Sequence, residues 1–305
     1  MPPARRSKHG DGLFGYYGLR VTPKGWPAML SLQASPSAIS GRARFDVLLE
    51  SRGRSALTLK LGAQTVLVRD GQVHDGQIQK AASDRGAGAP PLHEAPACSR
   101  APGSSIEHVE LEGQGTDTLT LEIQTGRPRL HGVIVESEQP GVVLDTVGID
   151  GARIATALAW DEESFIAELA ARRPDLIVLA FGTNEAFDAL RVSAYDQELS
   201  SLLGRARRAA PDSECLVLGP PDALDVEGGS VARIPEIAGV YAQTAARLGC
   251  AFYSLQAAMG GPGSFAAWQR TEPRFAQADR IHLTKDGYRE LGERLSAELL
   301  GALGF

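Results

Sequence analysis

The spacing of apolar residues changes near residue 140. Before it, apolar and polar residues tend to alternate, as in ARFDVLLES, ALTLKLG, QTVLVRDG, HVELEG, DTLTLEIQTG and LHGVIVES. Alternation is typical of strands with one buried and one wetted face, as in antiparallel sheets. This part of the chain is therefore predicted to form an antiparallel β-sandwich, or jelly roll. The Ala-, Pro- and Gly-rich segment 81–103 is predicted to be a long surface loop.

After residue 140 the apolar residues form continuous runs separated by helical patterns. The runs DLIVLAFG (175–182), ECLVLGPPD (214–222), CAFYSL (250–255) and VVLDTVG (142–148) are predicted to be strands covered on both faces. The segment DEESFIAELAARR is predicted to be a helix capped by Asp161 and ended before Pro174, and two further helices precede the later strands. Alternating strands and helices indicate a three-layer α/β domain with a parallel sheet. Such domains bind their ligands at the carboxyl ends of the strands.

Composition and charge restrict the kinds of partner. The 305 residues are 43% hydrophobic and 22% charged, with a formal net charge of −6 and no basic run of the kind that nucleic acids or anionic membranes require. Small molecules or neutral polymers are the expected partners. The basic start of the chain is not followed by an apolar segment, so no signal peptide or membrane anchor is predicted within it. The compartment and the oligomeric state stay open.

Cysteine and histidine do not indicate a metal or a disulfide framework. Cys98, Cys215 and Cys250 are odd in number, and the last two lie in apolar runs, so they are predicted to be buried free thiols. The six histidines are dispersed without the spacing of metal ligands. We therefore expect neither a metal nor a cofactor.

Three places at strand or loop ends carry candidate chemistry. Asn184, in GTNE after a strand, has a side-chain amide that could stabilise an oxyanion, and Gly151, in GIDGA, could add a backbone N–H. Asp279 and His282, in DRIH, are spaced so that the carboxylate can take the Nδ1 proton and leave Nε2 as a base. Each has an ordinary alternative: turn residues for the first two, and a helix-capping aspartate beside an unrelated histidine for the third.

Together, these segments resemble the sequence blocks of the SGNH (GDSL-type) hydrolase family. In that family, block one is a Gly-Asp-Ser turn with the nucleophile, blocks two and three supply an oxyanion glycine and asparagine, and the last is D-x-x-H. GIDGA, GTNE and DRIH resemble blocks two to four over residues 140–305. The resemblance implies a flavodoxin-like α/β domain, an oxyanion hole from Gly151 and Asn184, and an Asp279–His282 pair acting on a serine. It implies no cofactor.

The arrangement is most similar to the family branch related to peptidoglycan O-acetylesterases, which carries an inserted β-sandwich resembling a carbohydrate-binding module. The domains expected from this resemblance are a remnant or linker at 1–26, the sandwich at 27–139 and the hydrolase domain at 140–305. The implied substrate is a small-molecule or saccharide ester, in particular an O-acetyl saccharide. Relatives of this kind are often exported.

The first block departs from the family pattern. In HGDGLFG, Gly12 stands where Gly-Asp-Ser would place the serine, and no apolar strand precedes it. Ser230 and Ser264 lie in Gly-rich loops without the strand-turn-helix context of a nucleophile. The sequence therefore predicts a serine esterase whose nucleophile is not identified. Two alternatives stay open: a non-catalytic glycan-binding homologue, or a truncated fragment of the esterase.

Overall fold

The structure is a computed structural model that describes residues 27–33, 39, 41–51, 54–74, 98–100, 106–188 and 191–303. The chain divides into two compact units. Unit 1 comprises Met1–Val147 with Trp160–Ala171, and unit 2 comprises Gly148–Ala159 with Arg172–Phe305. In the described part of the chain, no helix is both long and apolar enough to cross a membrane.

Unit 1 contains two antiparallel sheets. The described residues of unit 1 form nine strands: β1 Ala28–Gln33, β2 Arg42–Glu50, β3 Ala56–Leu61, β4 Gln64–Arg69, β5 Gln72–His74, β6 Cys98–Arg100, β7 Glu107–Gln114, β8 Thr118–Thr125 and β9 Arg129–Ser137. One sheet has the order β1-β8-β3-β4-β5 and the other β6-β7-β2-β9. The six alternating segments correspond to β2, β3, β4, β7, β8 and β9, so the prediction of strands there is confirmed.

Inward-facing residues of both sheets form one apolar core. Phe45 and Val47 of β2, Leu59 of β3 and Leu121 of β8 are all buried there. In the alternating strands, the apolar side chains of this core thus face the other sheet, and the residues between them face outward. A jelly-roll connection of these strands stays a prediction. Most of the predicted loop at 81–103 lies outside the described residues, apart from β6.

A helix of unit 1 lies against the outer face of β2 and β7. This helix, α2 (Glu162–Arg172), is capped as predicted: the Asp161 carboxylate accepts a hydrogen bond of 2.8 Å from the Ser164 N–H. Its Glu168 meets His108 of β7, whose ring nitrogens lie 2.8 Å from an Asp46 oxygen and 3.0 Å from a Glu168 oxygen. All three residues are more than nine-tenths buried. Because burial of a charge requires a partner, this triad ties α2 to the sheet.

The described part of unit 2 contains three parallel strands. They are β10 Leu176–Ala180, β11 Glu214–Gly219 and β12 Ala251–Ser254, in that spatial order. Its helices are α1 Ile154–Leu158, α3 Val192–Ala209, α4 Arg233–Arg247, α5 Leu255–Met259, α6 Ser264–Trp268 and α7 Lys285–Leu303, with a 3₁₀ turn at Glu185–Phe187. The mixed α/β fold with parallel and antiparallel sheets agrees with the predicted class.

The prediction of a strand at 142–148 is wrong. No strand forms there, and Val142, Val143 and Leu144 are 97%, 61% and 81% exposed. An apolar run becomes a strand only where a neighbour completes its hydrogen bonds, and within the described residues this segment pairs with none. In the described part of the chain, β10 likewise bonds only to β11. Leu176 and Val178 of β10 are each 44% exposed.

The prediction of free thiols at Cys215 and Cys250 is also wrong, since the two residues form a disulfide. Parallel pairing of β11 and β12 places Leu216 opposite Ala251, so the residues that precede them are neighbours, with Cα atoms 4.9 Å apart. This separation is within the range for a disulfide. The spacing of cysteines in the sequence did not indicate it, because it depends on the register of two strands 35 residues apart.

Loss of this disulfide should destabilise unit 2. A bridge across 35 residues restricts the unfolded chain, which corresponds to about 3–4 kcal/mol in the chain-entropy model. The double variant Cys215→Ser/Cys250→Ser should therefore unfold at a temperature several degrees lower than the parent. Dithiothreitol should lower the parent's transition to the same extent and leave the double variant unchanged. A parent insensitive to reductant would contradict the bridge.

Candidate active site

Asp279 and His282 form a hydrogen-bonded pair on the surface of unit 2. The His282 Nδ1 lies 2.6 Å from Asp279 Oδ2, and the side chains are 62% and 44% exposed respectively. The other Asp279 oxygen accepts the backbone N–H groups of Ile281 and His282 at 3.0 and 2.9 Å. The carboxylate thus fixes both the turn and the ring, while Nε2 has no hydrogen bond to a described residue.

The hydrogen bonds also set the charge of Asp279. Partial burial opposes its ionisation, but the bonds from the His282 and Ile281 N–H groups and the His282 ring outweigh that effect and lower the pKa of the carboxyl below its ordinary value. Asp279 therefore stays an anion and orients the ring through Nδ1. The helix-capping alternative does not apply, because α7 begins at Lys285 and the Thr284 hydroxyl accepts the Gly287 N–H at 3.1 Å.

Arg280, between the two, is held by the loop that follows β11. It has a φ of +72°, in the left-handed region that few residues other than glycine adopt. Its carbonyl accepts the Leu224 N–H at 2.9 Å, and its guanidinium donates to the carbonyls of Asp225 and Val226 at 3.0 and 2.8 Å. These bonds hold the strained turn that presents His282.

Asp222 anchors that same loop. It is fully buried, and its carboxylate accepts hydrogen bonds from the Ser230 hydroxyl, the Gln256 amide at 2.9 Å and the Phe265 N–H at 2.9 Å. The Ser264 hydroxyl is 3.5 Å away. Both serines considered from the sequence therefore face Asp222.

Asn184 and Gly151 lie close together in unit 2. One N–H of the Asn184 amide donates to the Ala152 carbonyl at 3.0 Å, which leaves the second N–H of that amide available. Gly151 has a φ of +69° in a turn closed by a 3.0 Å bond from the Ala152 N–H to the Ile149 carbonyl. Its own N–H has no partner among the described residues. Two donors can thus be offered from neighbouring positions.

Glu185 joins the two loops that carry these donors. Glu185 is 1% exposed, and its two carboxylate oxygens accept hydrogen bonds from the backbone N–H groups of Ile154 and Gly182, each at 2.9 Å. Arg153 adds an ion pair of 2.8 Å to Asp188. The sequence did not single out this role of Glu185, since nothing in GTNEA indicates that the side chain turns back into the protein.

A chain of contacts connects the two pairs along the carboxyl edge of the sheet. Gly182, with a φ of +110°, lies so close to Pro220 that an added Cβ would stand 2.8 Å from the proline ring. Pro220 follows β11 and leads to Leu224, which bonds to Arg280 beside His282. The loop that carries Asn184 after β10 and the turn that carries His282 are thus connected through the segment 220–224, which follows β11. That they face one cleft stays a prediction.

Gly287 allows α7 to approach the loop that precedes His282. A Cβ at this position would overlap the carbonyl oxygen of Phe275, which itself accepts the Thr284 N–H at 2.9 Å. Because backbone cannot move as easily as a side chain, Gly287→Ala should cost about 1–3 kcal/mol and displace the His282 loop. Thermal unfolding and the NMR signal of the His282 Nδ1 proton would report the two effects.

Gly292 on the same helix is the matched control. A Cβ there meets nothing within 4 Å, so Gly292→Ala should be neutral or stabilising because alanine favours helix. Equal destabilisation by the two substitutions would show that the approach to Phe275 is not the cause.

The remaining sequence candidates have separate outcomes. Gly12 lies outside the described residues. Trp268 is 5% exposed; its Nε1–H donates to the Met259 carbonyl at 3.1 Å, and it packs on Phe275 in the apolar core of unit 2. Among the described residues, no group of three or more His, Cys, Asp or Glu side chains could hold a metal ion.

Comparison with solved structures gives the fold. The chain is similar to a peptidoglycan O-acetylesterase, with 21% identity and a TM-score of 0.69 over 97% of this chain and 74% of that chain. Weaker similarity is found to a lipase/acylhydrolase from Enterococcus faecalis (23% identity, TM-score 0.38, 50% and 72% of the chains) and to a family two carbohydrate esterase from Clostridium thermocellum (13%, 0.35, 91% and 99%). Among curated proteins, no match is found.

A match to a protein-family model identifies the family of the chain. Residues 113–290, more than half of the chain, match the GDSL-like lipase/acylhydrolase family. This range contains GIDGA, GTNE and DRIH, the segments on which the resemblance to SGNH hydrolases was based. The chain therefore belongs to the GDSL-like lipase/acylhydrolase family.

Proposed function

We propose that the protein hydrolyses an O-acylated saccharide, in particular an O-acetyl ester, by serine acyl transfer. The observation that carries the proposal is the Asp279–His282 pair, which has an ionised carboxylate at Nδ1 and an exposed ring without a described partner at Nε2. This is the arrangement of a general base. Family membership supports ester hydrolysis as the reaction.

The reaction follows from the proton positions. A serine oxygen attacks the acyl carbonyl while its proton passes to His282 Nε2, and Asp279 stabilises the resulting imidazolium. Collapse of the tetrahedral intermediate breaks the ester bond, and His282 returns the proton to the leaving saccharide oxygen. Water then repeats the sequence: it gives a proton to His282, attacks the acyl-enzyme and releases the carboxylic acid with the free serine.

Gly151 and Asn184 are assigned to the oxyanion of both intermediates. Each offers an N–H that is not used by another described residue, and Glu185 fixes the two loops against each other. Donors held in place before the reaction need no rearrangement when negative charge develops on the oxygen. Their attachment to a buried carboxylate supports that role.

The nucleophilic serine of this proposal stays unidentified in the chain. Ser230 and Ser264 face Asp222, and within the described residues no hydroxyl bonds to His282. The same observation favours a second candidate function, a non-catalytic protein that holds a glycan. The glycine at position 12, where the family pattern has serine, agrees with this second candidate.

One experiment separates the two candidates. The 305-residue chain is treated with a fluorophosphonate, the modified residue is mapped by mass spectrometry, and hydrolysis of p-nitrophenyl acetate and release of acetate from O-acetylated peptidoglycan are measured. Esterase function predicts a single labelled serine whose labelling requires His282. A chain that stays unlabelled and hydrolyses no faster than His282→Ala would support the glycan-binding candidate and contradict the esterase.

A further inference from the structure

A buried tyrosine of unit 2 supports the turn that carries Asn184, although it is not one of the residues assigned to the reaction. Tyr195 is 0% exposed, and its hydroxyl donates a hydrogen bond of 3.1 Å to the backbone carbonyl of Glu185, the residue that follows Asn184. The bond joins helix α3 to the 3₁₀ turn at Glu185–Phe187. A side chain outside the site thus holds the backbone next to an assigned oxyanion donor.

Helical spacing in α3 accounts for the burial of Tyr195. The buried residues of this helix recur mostly three or four positions apart and include Tyr195, Leu199, Leu202, Leu203 and Ala206. They therefore form one apolar stripe that faces the interior of unit 2. Tyr195 differs from the others because its ring ends in a hydroxyl, which can donate to a backbone carbonyl as leucine and alanine cannot.

Arg233 of α4 binds the other side of the Tyr195 hydroxyl. Its guanidinium donates to the Tyr195 oxygen at 3.4 Å, and the guanidinium carbon lies 6.0 Å from the centre of the ring. Burial and the negative charges of Asp188 and Glu185 raise the pKa of Tyr195 above its ordinary value, more than Arg233 lowers it. The phenol therefore stays protonated and can keep donating to the Glu185 carbonyl.

Movement of Glu185 would be transmitted to both assigned oxyanion donors. Its carboxylate accepts the N–H groups of Gly182 and Ile154, each at 2.9 Å. Gly182 lies in the same loop as Asn184, and Ile154 lies three residues after Gly151. The Glu185 backbone, which Tyr195 holds, is therefore a common support for the two loops.

We infer that Tyr195 is a positioning residue for the proposed oxyanion hole. It acts through the Glu185 carbonyl: the bond keeps the Asn184 amide and the Gly151 N–H in place while negative charge develops on the acyl oxygen. Tyr195 itself does not touch the ester. This role rests on the proposed esterase function, because without an oxyanion the same bond would only stabilise the fold.

Tyr241 of α4 offers a matched control. It is also 0% exposed, but its hydroxyl has no hydrogen-bond partner among the described residues. Tyr195→Phe and Tyr241→Phe each remove one oxygen from a fully buried ring, and only the first removes a bond to the turn that carries Asn184. Tyr241→Phe should therefore be neutral or stabilising.

Turnover of p-nitrophenyl acetate by the 305-residue chain tests the catalytic role. Tyr195→Phe should lower kcat about tenfold and leave KM unchanged, because the bond matters most when the oxyanion forms. Tyr241→Phe should equal the parent. In the Asn184→Ala background, Tyr195→Phe should lower kcat by no more than about twofold, since the donor through which it acts is gone. The full tenfold loss in that background, or an equal loss in Tyr241→Phe, would overturn the inference.

Amide hydrogen exchange separates a failure of this inference from a failure of the proposed function, because it needs no nucleophile. The N–H groups of Gly182 and Ile154 bond to Glu185, so both should exchange about tenfold faster in Tyr195→Phe, while the N–H groups of β11 keep the rates of the parent. Tyr241→Phe should change neither set. This local change in a chain without esterase activity would contradict the proposed function but support the positioning of the turn by Tyr195. Unchanged exchange at Gly182 and Ile154 would overturn the inference, whatever the activity.

Discussion

His282→Ala is expected to lower the hydrolysis of p-nitrophenyl acetate by roughly 1,000-fold or more and to prevent labelling of the serine by a fluorophosphonate. The imidazole is the group placed to accept the serine proton, and its Nδ1 is fixed 2.6 Å from an Asp279 oxygen. Loss of the base leaves the hydroxyl protonated and weakly nucleophilic. Initial rates at saturating substrate would measure the effect on turnover.

Asn184→Ala tests the proposed oxyanion donor in the same assay, because it leaves the base His282 in place. Removal of one donor typically lowers turnover by about 100- to 1,000-fold. Because the Asn184 amide also bonds to the Ala152 carbonyl, thermal unfolding should be measured in parallel. Arg289→Ala is the control: Arg289 is exposed on α7 and, among the described residues, pairs only with Asp286, so the rate of this variant should equal that of the parent. A catalytic loss in that variant would indicate non-specific damage.

His108→Gln is expected to destabilise unit 1 by roughly 3–5 kcal/mol near neutral pH, because it removes the cation that lies between two buried carboxylates. Burial of His108 lowers its pKa, but hydrogen bonds and charges from Asp46 and Glu168 outweigh burial and raise it from 6.5 to about 10. The folded protein therefore keeps a proton that the unfolded chain releases. Unfolding in urea, followed by circular dichroism, would measure the difference.

The difference in the free energy of unfolding between the parent and His108→Gln should depend on pH in a definite direction. A pKa raised on folding stabilises fully below the unfolded value, so the advantage of the parent over His108→Gln should be largest at or below about pH 6.5 and disappear as the pH rises through about 10. Lys60→Gln, which breaks an exposed pair with Glu122, should cost at most about 1 kcal/mol. A His108 ring that titrates near pH 6.5 would contradict the triad.

Local patterns predicted most of the secondary structure. Alternation indicated β2, β3 and β4 because each packs one face on a shared core. Continuous apolar runs indicated β10, β11 and β12, as is typical of parallel strands, although Leu176 and Val178 of β10 are each 44% exposed. The strand expected at 142–148 shows the limit of this approach. Hydrophobicity alone does not supply a hydrogen-bonding partner, and none is present for that run among the described residues.

The candidate site was predictable where its residues are close in sequence. Asp279 and His282 are three residues apart, so their pairing could be inferred from spacing. Glu185, Asp222 and Arg280 act instead through contacts with distant loops, and their partners Ile154, Gln256 and Leu224 depend on the tertiary fold. Asp222 had one usable signal, since it follows β11 at the strand end where function was expected.

The proposed reaction requires Gly151, Asn184 and His282 to face the same acyl group. Titration of the protein with acetate, the product of the proposed reaction, tests it by NMR without depending on the identity of the nucleophile. We expect the signals of the Gly151 N–H, the Asn184 side-chain amide and the His282 ring to shift together with one dissociation constant, and Asn184→Ala to weaken the response of the other two. Separate dissociation constants, or a response at His282 alone, would contradict it.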